Sequence, residues 1–130
     1  NLDFAQTFLE AAGIDAPNDM QGESLIPLLT ENGEDWTRDA VYYHYYEYPS
    51  VHMVKRHYGI VNKDYKLVRF YYDVDEWELY DRKNDPNEMN NVYNDPEYSD
   101  IVSDLKIQLA ELRKKYKDSE ELDQKFIYKN

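Results

Sequence analysis

Cysteine is absent from this 130-residue chain. No disulfide framework, thiolate nucleophile or thiolate metal ligand can form, and cysteine usage leaves the compartment undetermined. Glycine occurs only four times, scattered along the chain, so no glycine-rich loop can cradle a phosphate. Cations are scarce, with 15 Lys and Arg against 27 Asp and Glu and a formal net charge of -12. Nucleic-acid binders and polybasic membrane binders need clustered cations, and this balance argues against both. No apolar run approaches the ~20 residues of a membrane span, and no basic-apolar leader opens the chain. The serines stand in no G-x-S-x-G context, so no nucleophile elbow is present.

Tyrosine, in contrast, occurs 14 times, and aromatic residues make up 15% of the chain. Tyrosine suits strands and half-buried faces, where the ring is covered and the hydroxyl reaches water or a partner. A sheet with one wet face explains the enrichment. A platform for stacking sugars is the functional alternative.

Leu2, Ala5, Phe8, Leu9 and Ala12 recur at helical spacing and predict a helix over Asn1 to Ala12, closed by Gly13. Ser24 to Thr30 reads as a short helix capped by Ser24, with Pro27 in or near its first turn and Asn32-Gly33 beyond it. Strands are expected over Arg38 to Tyr48, His57 to Val61, Tyr65 to Asp73 and Trp77 to Tyr80. These runs are aromatic and β-branched, and short turns join them, which favours an antiparallel meander. Asp81 to Pro96 is rich in Asn, Asp and Pro and reads as turns, with Asp81 and Asp85 as caps. Asp95-Pro96 opens a long helix to about Lys117, with Ile101, Leu105, Leu109 and Leu112 as its apolar stripe. The last dozen residues are polar and read as a frayed tail. The fold class expected is α+β, a small antiparallel sheet of about four strands with a long helix packed on one face.

One stretch concentrates chemistry. Tyr42 to Gly59 holds all three histidines together with Lys55 and Arg56. Cations and protonatable imidazoles suit an anionic ligand, and tyrosine rings can stack on sugar faces. His52, Lys55, Arg56 and His57 are the substrate-binding candidates. A strand pair with ordinary surface cations and satisfied histidines is the structural alternative. No metal-ligand spacing emerges: His52 and His57 imply no third ligand, and Asp73, Asp75 and Glu76 form an acidic turn without a calcium loop's glycine.

Four segments, in order, resemble the C-terminal part of the arylsulfatase-type sulfatases of the alkaline-phosphatase-like superfamily. They are Asn1 to Ile14 (NLDFAQTFLEAAGI), Gly22 to Leu29 (GESLIPLL), Tyr65 to Val68 (YKLV) and Glu78 to Asn91 (ELYDRKNDPNEMNN). The Tyr-rich run and the HYG before YKL look most like bacterial sulfatases acting on glycans. Many members carry Arg-Thr where this chain has Val61-Asn62, so any role of that arginine does not carry over.

The resemblance implies a parent enzyme with a large α/β domain. That domain would hold a formylglycine nucleophile, made from Cys or Ser in a C/S-x-P-S-R motif, and a calcium ion. Neither cofactor is expected in this chain, which begins mid-element and reads as a fragment without catalytic residues. Residues 1–37 would end the large domain with two leftover helices, and 38–130 would form the C-terminal subdomain. Partners implied are the remaining N-terminal sulfatase domain and a sulfated sugar, and the parent would be periplasmic or secreted. A stand-alone module for anionic glycans is the rival from another class, and a phosphate or phosphonate ester hydrolase is the rival within the superfamily. As a fragment, the isolated chain should leave Phe4, Phe8, Leu25 and Leu28 exposed or bury them in a non-native dimer. Light scattering showing a clean monomer that binds no apolar dye would contradict this.

Overall fold

The computed structural model describes residues 2–30, 33, 36–125 and 127. It falls into two compact units, Asn1–Arg38 and Asp39–Asn130.

The first unit contains α1 (Leu2–Ala11) and α2 (Ile26–Leu29). Gly13 takes φ +68, a left-handed turn that lets Gly13 and Ile14 donate back to Glu10 and Leu9 and close α1. Asp3 organises the unit. Its carboxylate accepts two hydrogen bonds from Arg38, at 2.7 and 2.8 Å, and one from the Glu23 amide at 2.9 Å. The Arg38 guanidinium holds the Asp3 carboxyl down at about 2. Thr7 Oγ1 donates to Asp3 O and accepts from the Leu25 amide, which ties α1 to the segment entering α2. Ser24 acts one position earlier than an N-cap: its Oγ accepts from the Ile26 amide, while Leu25 occupies the cap position without a side-chain bond. Phe4 and Phe8 stack on one another at 6.4 Å and stand largely exposed, as does Leu28. Leu25 is half-buried. Asn1 and Asn32, expected at helix ends, lie outside the described residues.

The second unit contains β1 (Ala40–Tyr45), β2 (His57–Asn62), β3 (Tyr65–Phe70) and β4 (Glu76–Asp81), paired antiparallel in chain order. Tyr42, Ile60, Leu67 and Leu79 form one cross-strand row. Helix α3 (Ser99–Lys115) lays Val102, Leu105 and Leu109 against that face. Ile60, Leu67 and Leu79 have no exposed surface at all. The opposite face carries Tyr43, Tyr45, His57, Val68, Phe70 and Tyr80 by alternation. Gly59 sits there beneath the Tyr43 ring. A Cβ at Gly59 would lie 2.5 Å from Leu67 O and 2.7 Å from the Tyr43 hydroxyl, so only glycine fits.

β1 and β3 are shorter than their composition suggests, while β2 and β4 run slightly past the expected ends. β1 stops at Tyr45, before the turn in which the Tyr48 amide bonds Tyr46 O. β3 stops at Phe70, because Tyr72 takes φ +64 and Asp73 N–H turns back to Tyr71 O. The turn residues behave as their chemistry predicts. Asn62 Oδ1 accepts from the Asp64 and Tyr65 amides in the β2–β3 turn. Asp81, buried after β4, accepts from the Lys83 and Asn84 amides, the Asn84 side chain and the Tyr98 hydroxyl. Burial alone would raise its pKa, but those bonds outweigh burial and hold the carboxyl below its ordinary value. Asn91 covers the outer edge of β4: its Oδ1 accepts from the Leu79 amide while Val92 N–H bonds Leu79 O.

Asp95 caps as expected, accepting from the Glu97 amide, but the first turn, Pro96–Tyr98, is 3-10 and α3 begins at Ser99. The chain end departs most from expectation. Of the expected frayed tail, Glu120–Lys125 instead forms helix α4, with Asp123 and Ile127 buried, while residues 126 and 128–130 lie outside the described residues. Asp123 is held by two bonds from Arg113, which local sequence could not reveal. No helix among the described residues is long and apolar enough to cross a membrane.

Leu67 is fully buried in the central row. Leu67→Ala should cost about 2–5 kcal/mol in urea unfolding. A loss under about 1 kcal/mol would mean that the row is not the core.

Candidate functional site

The four residues singled out from sequence lie together at the entrance to β2, in or beside the Tyr46–Arg56 connection. Their environments differ. His52 is exposed in the loop. The Lys55 ammonium donates to the Tyr48 hydroxyl and lies 3.9 Å from the centre of the Tyr48 ring. Arg56 is only 2% exposed; its Nη1 donates to Asp73 Oδ2 at 2.8 Å. Its guanidinium lies near the rings of Tyr48 and Tyr72, at 5.8 and 5.6 Å. His57 belongs to the sheet face opposite α3, stacked with Tyr45 at 5.5 Å and near Phe70 at 5.2 Å. Its Nδ1 lies 2.8 Å from Lys55 O, a carbonyl that only accepts, so Nδ1 carries the proton.

Lys55 is therefore half-exposed on a tyrosine, His52 stands in solvent, and Arg56 and His57 carry inward contacts. This arrangement can present one ammonium group and one imidazole to an anionic ligand.

A second cluster, not anticipated from sequence, is buried between β1 and the segment after α3. His44 Nδ1 lies 2.7 Å from Asp118 Oδ2, and His44 Nε2 lies 2.7 Å from the Tyr71 hydroxyl. The Tyr42 hydroxyl also donates to Asp118. Arg113 bonds Asp123 at 2.9 and 3.1 Å and approaches Asp118 at 3.7 Å. The geometry suits a neutral imidazole: Nδ1–H donates to the carboxylate and Nε2 accepts from the phenol. Burial pulls His44 below its ordinary value, against the opposing influence of Asp118 and Asp123. Burial also pushes Asp123 up, despite Arg113. At Asp118 the bonds from Tyr42 and His44 outweigh burial and hold the carboxyl down. His44 and Asp118 are 74 positions apart, so no local spacing could signal the pair. His44 did fall within the Tyr-rich stretch that holds every histidine.

His44, Asp118 and Asp123 bring possible ligand atoms within 4.8 Å of one another. They do not suit a calcium ion. The two imidazole nitrogens face separate partners, and Arg113 already supplies the cation for both carboxylates.

The second unit is thus a four-stranded antiparallel meander carrying one long helix. The chain belongs to the family described as N-sulphoglucosamine sulphohydrolase, C-terminal, whose sequence profile matches residues 1–115. An N-acetylglucosamine-6-O-sulfatase of Bacteroides thetaiotaomicron is 54% identical over 123 residues, covering 92% of this chain and 22% of the relative. A solved enzyme in complex with its substrate D-glucosamine-2-N,6-O-disulfate is 54% identical, with a TM-score of 0.85 over 91% of this chain and 24% of its own. A phosphonate monoester hydrolase of Agrobacterium radiobacter is 25% identical, with a TM-score of 0.68 over 88% of this chain and 24% of its own. The chain thus spans between a fifth and a quarter of the length of these relatives.

The neutral His44 has a measurable consequence. Below about pH 6.5 the unfolded chain takes up a proton that the folded imidazole refuses, so stability falls as pH drops through that value. An NMR titration should place the His44 midpoint below about 6.5. A midpoint above it would mean an imidazolium bridging two carboxylates and would overturn the assignment.

Proposed function

We propose that this chain is the C-terminal subdomain of a sulfatase that hydrolyses sulfate esters of amino-sugar glycans. The observation that carries this reading is the 54% identity, over nearly the whole chain, to an N-acetylglucosamine-6-O-sulfatase. In this reading the chain supplies no nucleophile. Formylglycine and calcium belong to a preceding α/β domain, which residues 1–37 would complete. The exposed Phe4 and Phe8 of α1 support that placement, because a helix seldom leaves stacked phenylalanines in water.

The contribution of the chain is to substrate recognition at the entrance to β2. Lys55 presents an ammonium group to an anionic sugar, and His52 lies three residues before it on the exposed part of the loop. Arg56 and His57 belong to the same site but bear on it from beneath, through Asp73 and through Lys55 O. A chain of net charge -12 repels anions as a whole, so a local cation on an aromatic ring is where an anionic sugar would settle. A phosphonate ester hydrolase is the second reading, and its lower identity, 25% against 54%, weighs against it. Binding of anionic glycans by the isolated chain would instead favour the stand-alone module.

Lys55→Ala in the full-length enzyme tests the assignment. Loss of one charge-assisted bond to a sulfated sugar should lower kcat/KM on 6-sulfated glucosamine by about ten-fold or more. The loss on a small aryl sulfate, which does not reach the loop, should be far smaller. Equal losses on both substrates, or none on either, would remove Lys55 from the site.

A further inference from the structure

The Tyr46–Arg56 connection is poorly held by packing. Val51 is 91% exposed and Met53 64% exposed, so the apolar residues of the loop do not anchor it. Met53 also takes φ +52, a left-handed conformation uncommon outside glycine. Such a loop needs another tether if Lys55 is to hold one position.

Arg56 has the required contacts. Its carbonyl accepts from the Tyr71 amide at 3.3 Å, and its guanidinium bonds Asp73 at 2.8 Å. Both partners lie in the turn that leaves β3. Tyr72 in that turn holds φ +64 and stands 63% exposed, yet its ring lies 5.6 Å from the guanidinium, and the Tyr48 ring lies 5.8 Å from it. Tyr48 is the same ring that carries Lys55 on it, at 3.9 Å. One buried side chain therefore joins the loop, the ring beneath Lys55 and the neighbouring turn. A desolvated arginine held by a single carboxylate is also sensitive: loss of Asp73 leaves a buried charge without its partner, and the loop must open to hydrate it. Arg56 is neutralised by Asp73, whereas the ammonium of Lys55 has no carboxylate partner among the described residues.

We propose that Arg56 and Asp73 form a positioning clamp that holds Tyr48 and Lys55 in register for an anionic sugar, and that Arg56 does not itself touch the substrate. This rests on the sulfatase reading above. Arg56 acts through Lys55, so its effect must vanish where Lys55 is already gone.

The test uses the full-length enzyme with Asp73→Asn, Arg56→Lys, Lys55→Ala and the Lys55→Ala/Asp73→Asn double variant. On 6-sulfated glucosamine, Asp73→Asn should raise KM about five- to twenty-fold and change kcat less than about two-fold, the pattern of lost ground-state positioning. Arg56→Lys keeps the charge but loses the planar fork, and should fall between wild type and Asp73→Asn. In the double variant the Asp73→Asn effect should disappear, because the two changes remove one interaction. Additive effects would overturn the proposal, as would an equal fall in kcat. A separate reading comes from hydrogen exchange. Asp73→Asn should speed exchange of the amides of residues 51–56 at least ten-fold while the core amides of Ile60 and Leu67 keep their protection. Unchanged loop exchange would refute the clamp outright. If loop exchange rises but Lys55→Ala leaves the sugar kinetics intact, the clamp is real and the substrate role of Lys55 is what fails.

Discussion

The cross-strand row Tyr42–Ile60–Leu67–Leu79 is the constraint on which the second unit depends. Its inward side chains meet Val102, Leu105 and Leu109 of α3 and lose their contact with water. Side chains alternate along a strand, so a slip of one residue in any pairing would carry that strand's apolar members to the other face. Fixing this row fixes everything beside it. It places Gly59 under Tyr43, directs His44 toward the end of α3, and turns His57 onto the far face. The loop that precedes β2 then has to start where the row leaves it.

The same register governs the polar interior. Tyr42 and His44 follow one another on the α3 side of β1, and both reach Asp118 after the helix has ended. Arg113, in the last turn of α3, answers Asp118 and Asp123 together. A buried arginine facing two carboxylates is costly to desolvate and stable only when its bonds are made. Here Asp123 of α4 accepts both hydrogen bonds, and Asp118 stands 3.7 Å from the guanidinium. The outcome is a docked α4 where composition alone suggests a frayed end. In the first unit Asp3 plays the comparable part, joining α1 to Glu23 and Arg38.

The chain is strongly acidic, and the proposed site sets a cation on an aromatic ring at the entrance to β2. Lys55 on the Tyr48 ring, with His52 nearby, offers positive charge on an aromatic base. Arg56 gives the appearance of a second ligand in the sequence, yet its charge is spent on Asp73. The half-exposed Lys55 and the buried Arg56 thus differ in what they can touch. Arg56 ends the loop and turns to Asp73, whereas His57, the first residue of β2, lies on the sheet face opposite α3.

Much was legible in the residues themselves. Four strands in chain order, the Asp95 cap, the apolar stripe of α3 and the turn roles of Asp81 and Asp85 all follow from local chemistry: period-two alternation, helical spacing and side chains that satisfy nearby amides. Strand ends were less legible. Tyr46 to Tyr48 and Tyr71 to Asp73 have strand composition, but the backbone turns there for reasons that involve partners outside the run. The site divides in the same way. The gathering of His52, Lys55, Arg56 and His57 was visible as a stretch of sequence, since these residues are neighbours in the chain. Which of them faces solvent depended on Asp73, Tyr72 and Tyr45, which no spacing links to them. The cluster of His44, Asp118, Asp123 and Arg113 lay beyond sequence reasoning altogether. Local propensities and periodicities determined the elements and their order. Only the tertiary structure decided which charges are paired and which are presented, because that choice is made by contacts between residues far apart in the chain.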